Sequence, residues 1–298
     1  MIAAVKAKVF SLFQPVTIAM IVLFWSIAPV SWAHSPWTLN AVNIVITGLV
    51  VALEFFNERH ASWRMNGREF ATDLFYTTLM FTVIAQLTIK LCDHPLGAAK
   101  HALGITTPWA THLPFVLQVA LVILLIEFGQ YWMHWAMHHT FLWWTHAPHH
   151  NITQMNAMKG AVGNPIELFL ITLSVVALFD VPETAVFCAA GIQTLLGCCT
   201  HSNVRFDSPR WYTFIFNTIE AHSLHHSYTP RYEDTRCNYG GTLIIFDRMF
   251  GTYRQGESEI VGQDERKRLT IWEQFIYPFR EFMAMIKARK GASVSVSS

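Results

Sequence analysis

Long apolar runs separated by short polar stretches organise this chain. Four runs, at about 15–33, 39–56, 72–92 and 113–135, reach the roughly 20 mostly apolar residues that a helix needs to cross a bilayer. A fifth apolar block, 165–200, is interrupted at Asp180, Val181 and Pro182. Each of its halves is marginal for a full crossing, so the pattern predicts a helical hairpin or a deeply inserted pair. Towards the C-terminus, Trp272, Phe275, Ile276, Phe279, Phe282 and Ile286 recur at helical spacing with basic residues between them. That predicts an amphipathic helix over 271–290, either lying in the membrane interface or packed on the rest of the protein. The small, polar stretch Gly291–Ser298 is expected to be disordered. The fold class is all-α, a multi-pass transmembrane helical bundle.

Composition agrees. Of 298 residues, 52% are hydrophobic and only 14% charged, against about 25% charged in an average soluble domain. The net charge of +1 argues against nucleic acid as a partner. The five cysteines show no CxxC spacing and are expected to be buried apolar residues. Lys and Arg positions give the orientation. With Lys6 and Lys8 inside, the second run ends inside on Arg59, Arg64 and Arg68, and the third leads to an outer loop with Lys90 and Lys100. The fourth returns to the cytoplasm, where the later basic residues also fall. The first run has a second reading, a cleaved signal peptide ending near Ser31-Trp32-Ala33. The rest of the topology is the same either way.

Histidine is the anomaly: 15 in all, ten of them between His134 and His226. His134, His138 and His139 end the fourth span. His146-Ala147-Pro148-His149-His150 and His222-Ser223-Leu224-His225-His226 share the spacing HxxHH, and His201 lies between them. Residues three and four apart share a helix face, so His134 projects with His138, and His222 can converge with both His225 and His226. Neutral imidazole is the commonest side-chain metal ligand. Nine candidates exceed the positions around one ion, which implies two. Thiolates are absent from the clusters, which argues against a structural zinc site. The ExxH pattern of carboxylate-bridged di-iron bundles is absent too. The bundle is therefore expected to carry a histidine-rich, metal-binding helical cap on its cytoplasmic side. Glu127 and Tyr131 lie on the same face as His134 and are expected to orient an imidazole N–H, while Glu54 and Asp73 read as structural.

These motifs, in this order, resemble the fatty acid hydroxylase/sterol desaturase superfamily of integral-membrane di-iron enzymes. Tyr131-Trp132-Met133-His134, His201-Ser202-Asn203, Asn238-Tyr239-Gly240-Gly241 and the segment Asp247–Tyr253 extend the resemblance over about 115–255. Trp135, where the family often has arginine, and Asn164, where it often has histidine, depart from it. The resemblance implies an O2-dependent oxidoreductase that hydroxylates or desaturates a lipid: a sterol, a fatty acyl chain or a related molecule. It implies two iron ions, with zinc able to take the same nitrogen-rich sites on purification. The ligand set would be His134, His138, His146, His149, His150, His201, His222, His225 and His226. His139 would replace His138 or support it, and Asn238 would lie near the metals. Electrons would come from a separate reductase with a ferredoxin or cytochrome b5-like carrier. The chain then divides into transmembrane helices (1–110), the catalytic domain (111–255) and the amphipathic helix with its tail (256–298). The location would be the bacterial inner membrane or the endoplasmic reticulum. Lipid is expected to reach the site laterally beside the 165–200 hairpin, which Gly163 and Gly197 flank. A metal transporter or sensor would instead line a path through the spans with histidines, and a zinc hydrolase would need only three ligands.

Overall fold

The computed structural model, which describes residues 2–229 and 235–295, places a helix on each apolar run. The first helix starts at Ile2 and stops at Ile27, short of the expected 33, and the third extends well beyond 72–92 at both ends. Among the described residues five helices are long and apolar enough to cross a membrane. They are α1 (Ile2–Ile27), α2 (Pro36–Phe56), α3 (Gly67–Ala102), α4 (Phe115–His139) and a later one, Glu183–His201. The 21 residues of α2 make about 31 Å of helix, close to the thickness of a hydrocarbon core. Asn66 starts α3 by accepting hydrogen bonds from the Arg68 and Glu69 amides, both at 3.0 Å. The helix then widens into π-helical turns at Met80–Ile84 and Ile89–Asp93.

Between the spans stand α5 (Trp143–His150) and the seven-residue α6 (Pro165–Ile171). The second half of the expected hairpin is a full helix, α7 (Glu183–His201), but the first half is not a spanning partner to it. After α6 the backbone leaves helical geometry, apart from one turn at Val176–Leu178. The irregular stretch is half-buried and has polar contacts to neighbouring helices, which help it tolerate a membrane setting. Thr172 Oγ1 meets Thr88 Oγ1 of α3 at 2.6 Å, and the Leu173 carbonyl lies against Gly129 of α4. Later helices include α8 (Ile219–His225), α9 (Ile245–Phe250) and α10 (Ile271–Ser295).

Residues of α1, α2, α4 and α7, including Trp25, Val50, Val122 and Leu195, bury together in one core that also takes in Tyr239 and Phe246. The amphipathic helix packs one side on the rest of the protein and leaves apolar side chains exposed on the other. Trp272, Phe279 and Met283 are exposed, while Gln274 and Tyr277 are buried. Thr270 and Glu273 cap its start reciprocally. Pro278, lacking an N–H, would orphan the Gln274 carbonyl; Asn164 Nδ2 donates to that oxygen at 2.8 Å. Asn164 thereby ties α10 to the start of α6, which it also caps through the Ile166 amide. The tail expected to be disordered continues α10 as far as Ser295, and 296–298 lie outside the described residues.

A buried ion network locks α3 to the loop after α5. Lys159, only 2% exposed, donates to Glu69 and, at 2.7 Å, to Asp73, which is fully buried. Arg268 also pairs with Glu69, and Asn156 donates to Asp73 at 2.7 Å. Removing one member of such a cluster leaves a buried charge uncompensated. Lys159→Met is expected to destabilise the protein by about 3–5 kcal/mol, read as an earlier denaturant midpoint. A loss below about 1 kcal/mol would mean that water already screens the cluster.

Candidate metal centre

Helices α4, α5, α7 and α8 bring the histidines together at one end of the bundle. They form two buried groups. His134, His138, His146, His150 and His225 place one ring nitrogen each within 4.8 Å of one another, and so do His149, His201, His222 and His226. Each HxxHH motif serves both. The i and i+4 histidines (His146 and His150; His222 and His226) stay in their own group, while the i+3 histidine crosses to the other. On a helix the i+3 and i+4 side chains diverge to either side of the residue below them. His222 therefore shares a group with His226 but not, as the spacing alone allowed, with His225. The groups adjoin where His150 stacks on His226, with ring centroids 4.4 Å apart.

The donor set fits metal ions. His134 Nε2 lies 2.9 Å from His146 Nε2, His150 Nε2 3.1 Å from His146 Nε2, and His222 Nε2 2.8 Å from His201 Nε2. Two imidazoles at right angles on one ion, each about 2.1 Å from it, hold their nitrogens about 3 Å apart. Both ring nitrogens of His138, together with His225 Nε2, are buried without a hydrogen-bond partner, a costly arrangement unless they have another use. Burial holds His146, His149, His150, His222, His225 and His226 below the ordinary histidine pKa, His146 down to about 3. These rings stand neutral, the form that ligates.

For five of the nine, Nδ1–H bonds set the tautomer, leaving Nε2 to face the group interior. His134 donates to the Tyr239 carbonyl, His149 to that of Val162 and His225 to that of Cys237, each at 2.7 Å. His201 Nδ1 lies 3.1 Å from the Gly197 carbonyl. His146 alone uses a carboxylate, Glu167 Oε1, at 2.9 Å.

Three residues expected close to the metals act one step further out. Glu127, fully buried in α4, bonds to no imidazole; its Oε2 accepts from the Thr242 and Leu243 amides at 2.9 and 3.0 Å. Tyr131 OH meets Thr252 Oγ1 at 2.9 Å, and Thr252 in turn bonds Asp247. Asp247 accepts from the Tyr239 and Gly240 amides, both at 2.7 Å. Asn238 donates to the Ala221 and Arg254 carbonyls. All of them fix the 237–243 segment, whose carbonyls at Cys237 and Tyr239 receive His225 and His134. Gly240 is obligatory in that segment, since a Cβ there would lie 2.2 Å from the Leu243 carbonyl. His139 belongs to neither group. It is exposed, stacks on Trp135 at 4.4 Å and meets Tyr239 OH at 3.0 Å. Glu167 is the functional candidate that spacing did not single out. Its signal was a lone carboxylate in an otherwise apolar run just after Asn164-Pro165.

A cavity of about 480 Å³ opens on the histidines and runs down between α2, α3, α4 and α7. His134, His146, His149, His201 and His222 line its upper end, and Gly197 borders it with nothing within 4 Å of where a Cβ would stand. Gly163, paired with Gly197 as a flank of the lipid path, faces Glu167 instead: a Cβ there would meet Glu167 Oε2 at 2.1 Å.

Residues 119–252 match the family model described as fatty acid hydroxylase. The chain is 26% identical over 228 residues to the ornithine lipid hydroxylase OlsE of Rhizobium tropici, covering 74% of this chain and 68% of that one. It is 24% identical over 225 residues to a Delta(7)-sterol 5(6)-desaturase of Eremothecium gossypii, covering 66% and 59%. It is 27% identical over 158 residues to the alkylglycerol monooxygenase of Homo sapiens, covering 52% and 33%. The chain thus spans less than two thirds of the length of the latter two relatives. No solved structure matches it.

Proposed function

Because this chain is an oxidoreductase of the fatty acid hydroxylase family, we propose that it hydroxylates or desaturates a membrane lipid drawn into the cavity beneath its histidines. The observation that carries this reading is the cavity itself. It lies among apolar spans and ends on five of the nine clustered imidazoles. Two iron ions are the expected occupants, His134, His138, His146, His150 and His225 holding one and His149, His201, His222 and His226 the other. Bound there, they supply the activation of O2 that attack on an unactivated C–H bond requires. The protein's part is to hold neutral imidazoles in place, exclude water by burial and set a lipid carbon against them. Electrons would come from a separate reductase through a ferredoxin or cytochrome b5-like carrier.

The histidine end is also the basic end. Arg59 pairs with Glu220 of α8 at 2.9 Å, and the Lys6 ammonium reaches the Phe56 carbonyl. The positive-inside rule therefore favours a metal centre facing the cytoplasm. The relatives act, by their names, on ornithine lipid, sterol and alkylglycerol; comparing lipid extracts of cells with and without the gene by mass spectrometry identifies the substrate here. Gly197→Trp tests the path. Filling the cavity should reduce turnover of that lipid at least tenfold while metal content stays at the wild-type level. Unaltered turnover would show that the lipid reaches the histidines by another route.

A further inference from the structure

The cavity is mainly apolar, but its lower part carries polar side chains that an acyl chain does not need. Asn40, Asn43, Thr47 and Thr194 face it, inside helices that are otherwise apolar. Asn43 is 5% exposed, and its side-chain oxygen has no hydrogen-bond partner. Polar side chains at such a depth are expensive, and those facing an interior cavity mark a ligand path. A carboxamide oxygen buried among apolar helices without a donor costs free energy that Leu or Val at the same place would not.

Depth locates the group. Glu54, at the other end of α2, accepts from the Ala157 and Asn203 amides, level with the histidine cap. Asn43 stands eleven residues before it, about 16 Å further along the helix. On α7, Thr194 stands seven residues before His201, about 10 Å away. The cavity is thus a long slot with metal-ligating chemistry at one end and an unpaired amide near the other.

We infer that the slot takes an elongated lipid bearing a hydroxyl or similar hydrogen-bonding group at the end remote from its reacting carbon, and that Asn43 holds this group. The inference rests on the lipid-oxidising reading above and narrows it: a chain with a bare methyl terminus would leave Asn43 unpaired. The unpaired atom is the amide oxygen, an acceptor, so the ligand's group must donate to it, as a hydroxyl does.

The test is binding of matched probes to the purified, metal-loaded protein in nanodiscs. ω-Hydroxy fatty acids of graded length are compared with unsubstituted fatty acids of the same lengths by native mass spectrometry. At the best-fitting length the hydroxylated member should bind about tenfold tighter, the worth of one well-made buried hydrogen bond. In Asn43→Leu, which keeps the volume and removes the amide, the preference should vanish or reverse. Retained binding of the plain acid by that variant shows that it is folded. Equal binding of the two series by the wild-type protein, or a preference that survives Asn43→Leu, overturns the inference and leaves the lipid-oxidising reading intact. Binding of neither series also overturns the inference.

Discussion

Alanine at any one of His149, His150, His225 or His226 is expected to lower turnover by about three orders of magnitude or more, while His34→Ala and His101→Ala leave it near the wild-type level. The clustered positions each fill one place among nitrogens that lie within 4.8 Å of one another, and residues that act as one unit fail together when one is lost. His34 instead pairs with Glu183 in an exposed contact, and His101 is exposed on α3. The exchange of i+3 histidines between the motifs makes the result sharper. His149 and His226 should depopulate one ion, and His150 and His225 the other, although His149 and His150 are neighbours in sequence. Double variants within a group should cost no more than either single change. Full activity in His225→Ala would remove α8's contribution to the first group.

Glu167→Leu is expected to weaken metal retention 10- to 100-fold, measured by competition with a chelator. Among the described residues its carboxylate is the one acidic group bonded to a clustered imidazole, at 2.9 Å from His146 Nδ1, and both partners are buried. Without it His146 loses the acceptor that fixes its tautomer and aims Nε2 at His134 and His150. Glu167→Gln retains a carbonyl acceptor and should recover much of the affinity, which separates this role from mere packing. Unchanged retention in Glu167→Leu would show that the ring is held by its surroundings alone.

The parts of this architecture written in local patterns were legible in the sequence. Apolar runs gave four of the five spans because a bilayer enforces length and polarity over each run separately; the fifth, Glu183–His201, read only as one arm of a hairpin. Repeated HxxHH gave the ligand candidates because helical periodicity brings i and i+4 together. What escaped depends on tertiary placement. Glu127 shares a helix face with His134, yet its carboxylate is taken by the Thr242 and Leu243 amides of a distant loop. Glu167 looked like an isolated charge in a membrane segment, and only the packing of α6 against α5 gives it His146. Residues 165–182 read as half a hairpin because hydropathy does not distinguish a spanning helix from a short helix followed by irregular backbone packed on its neighbours. Asn164 looked like a departure from the family pattern; its role becomes visible only once Pro278 of α10 lies beside it.

The central claim is that nine histidines form two metal positions, and metal stoichiometry tests it most directly. Protein produced under iron-replete conditions and purified without chelators should contain about two transition-metal ions per chain by elemental analysis. Iron should be the metal that supports turnover, and zinc a competitor for the same nitrogen-rich sites. His226→Ala and His150→Ala should each bring the content to about one. A wild-type content of one ion or none per chain would contradict the account.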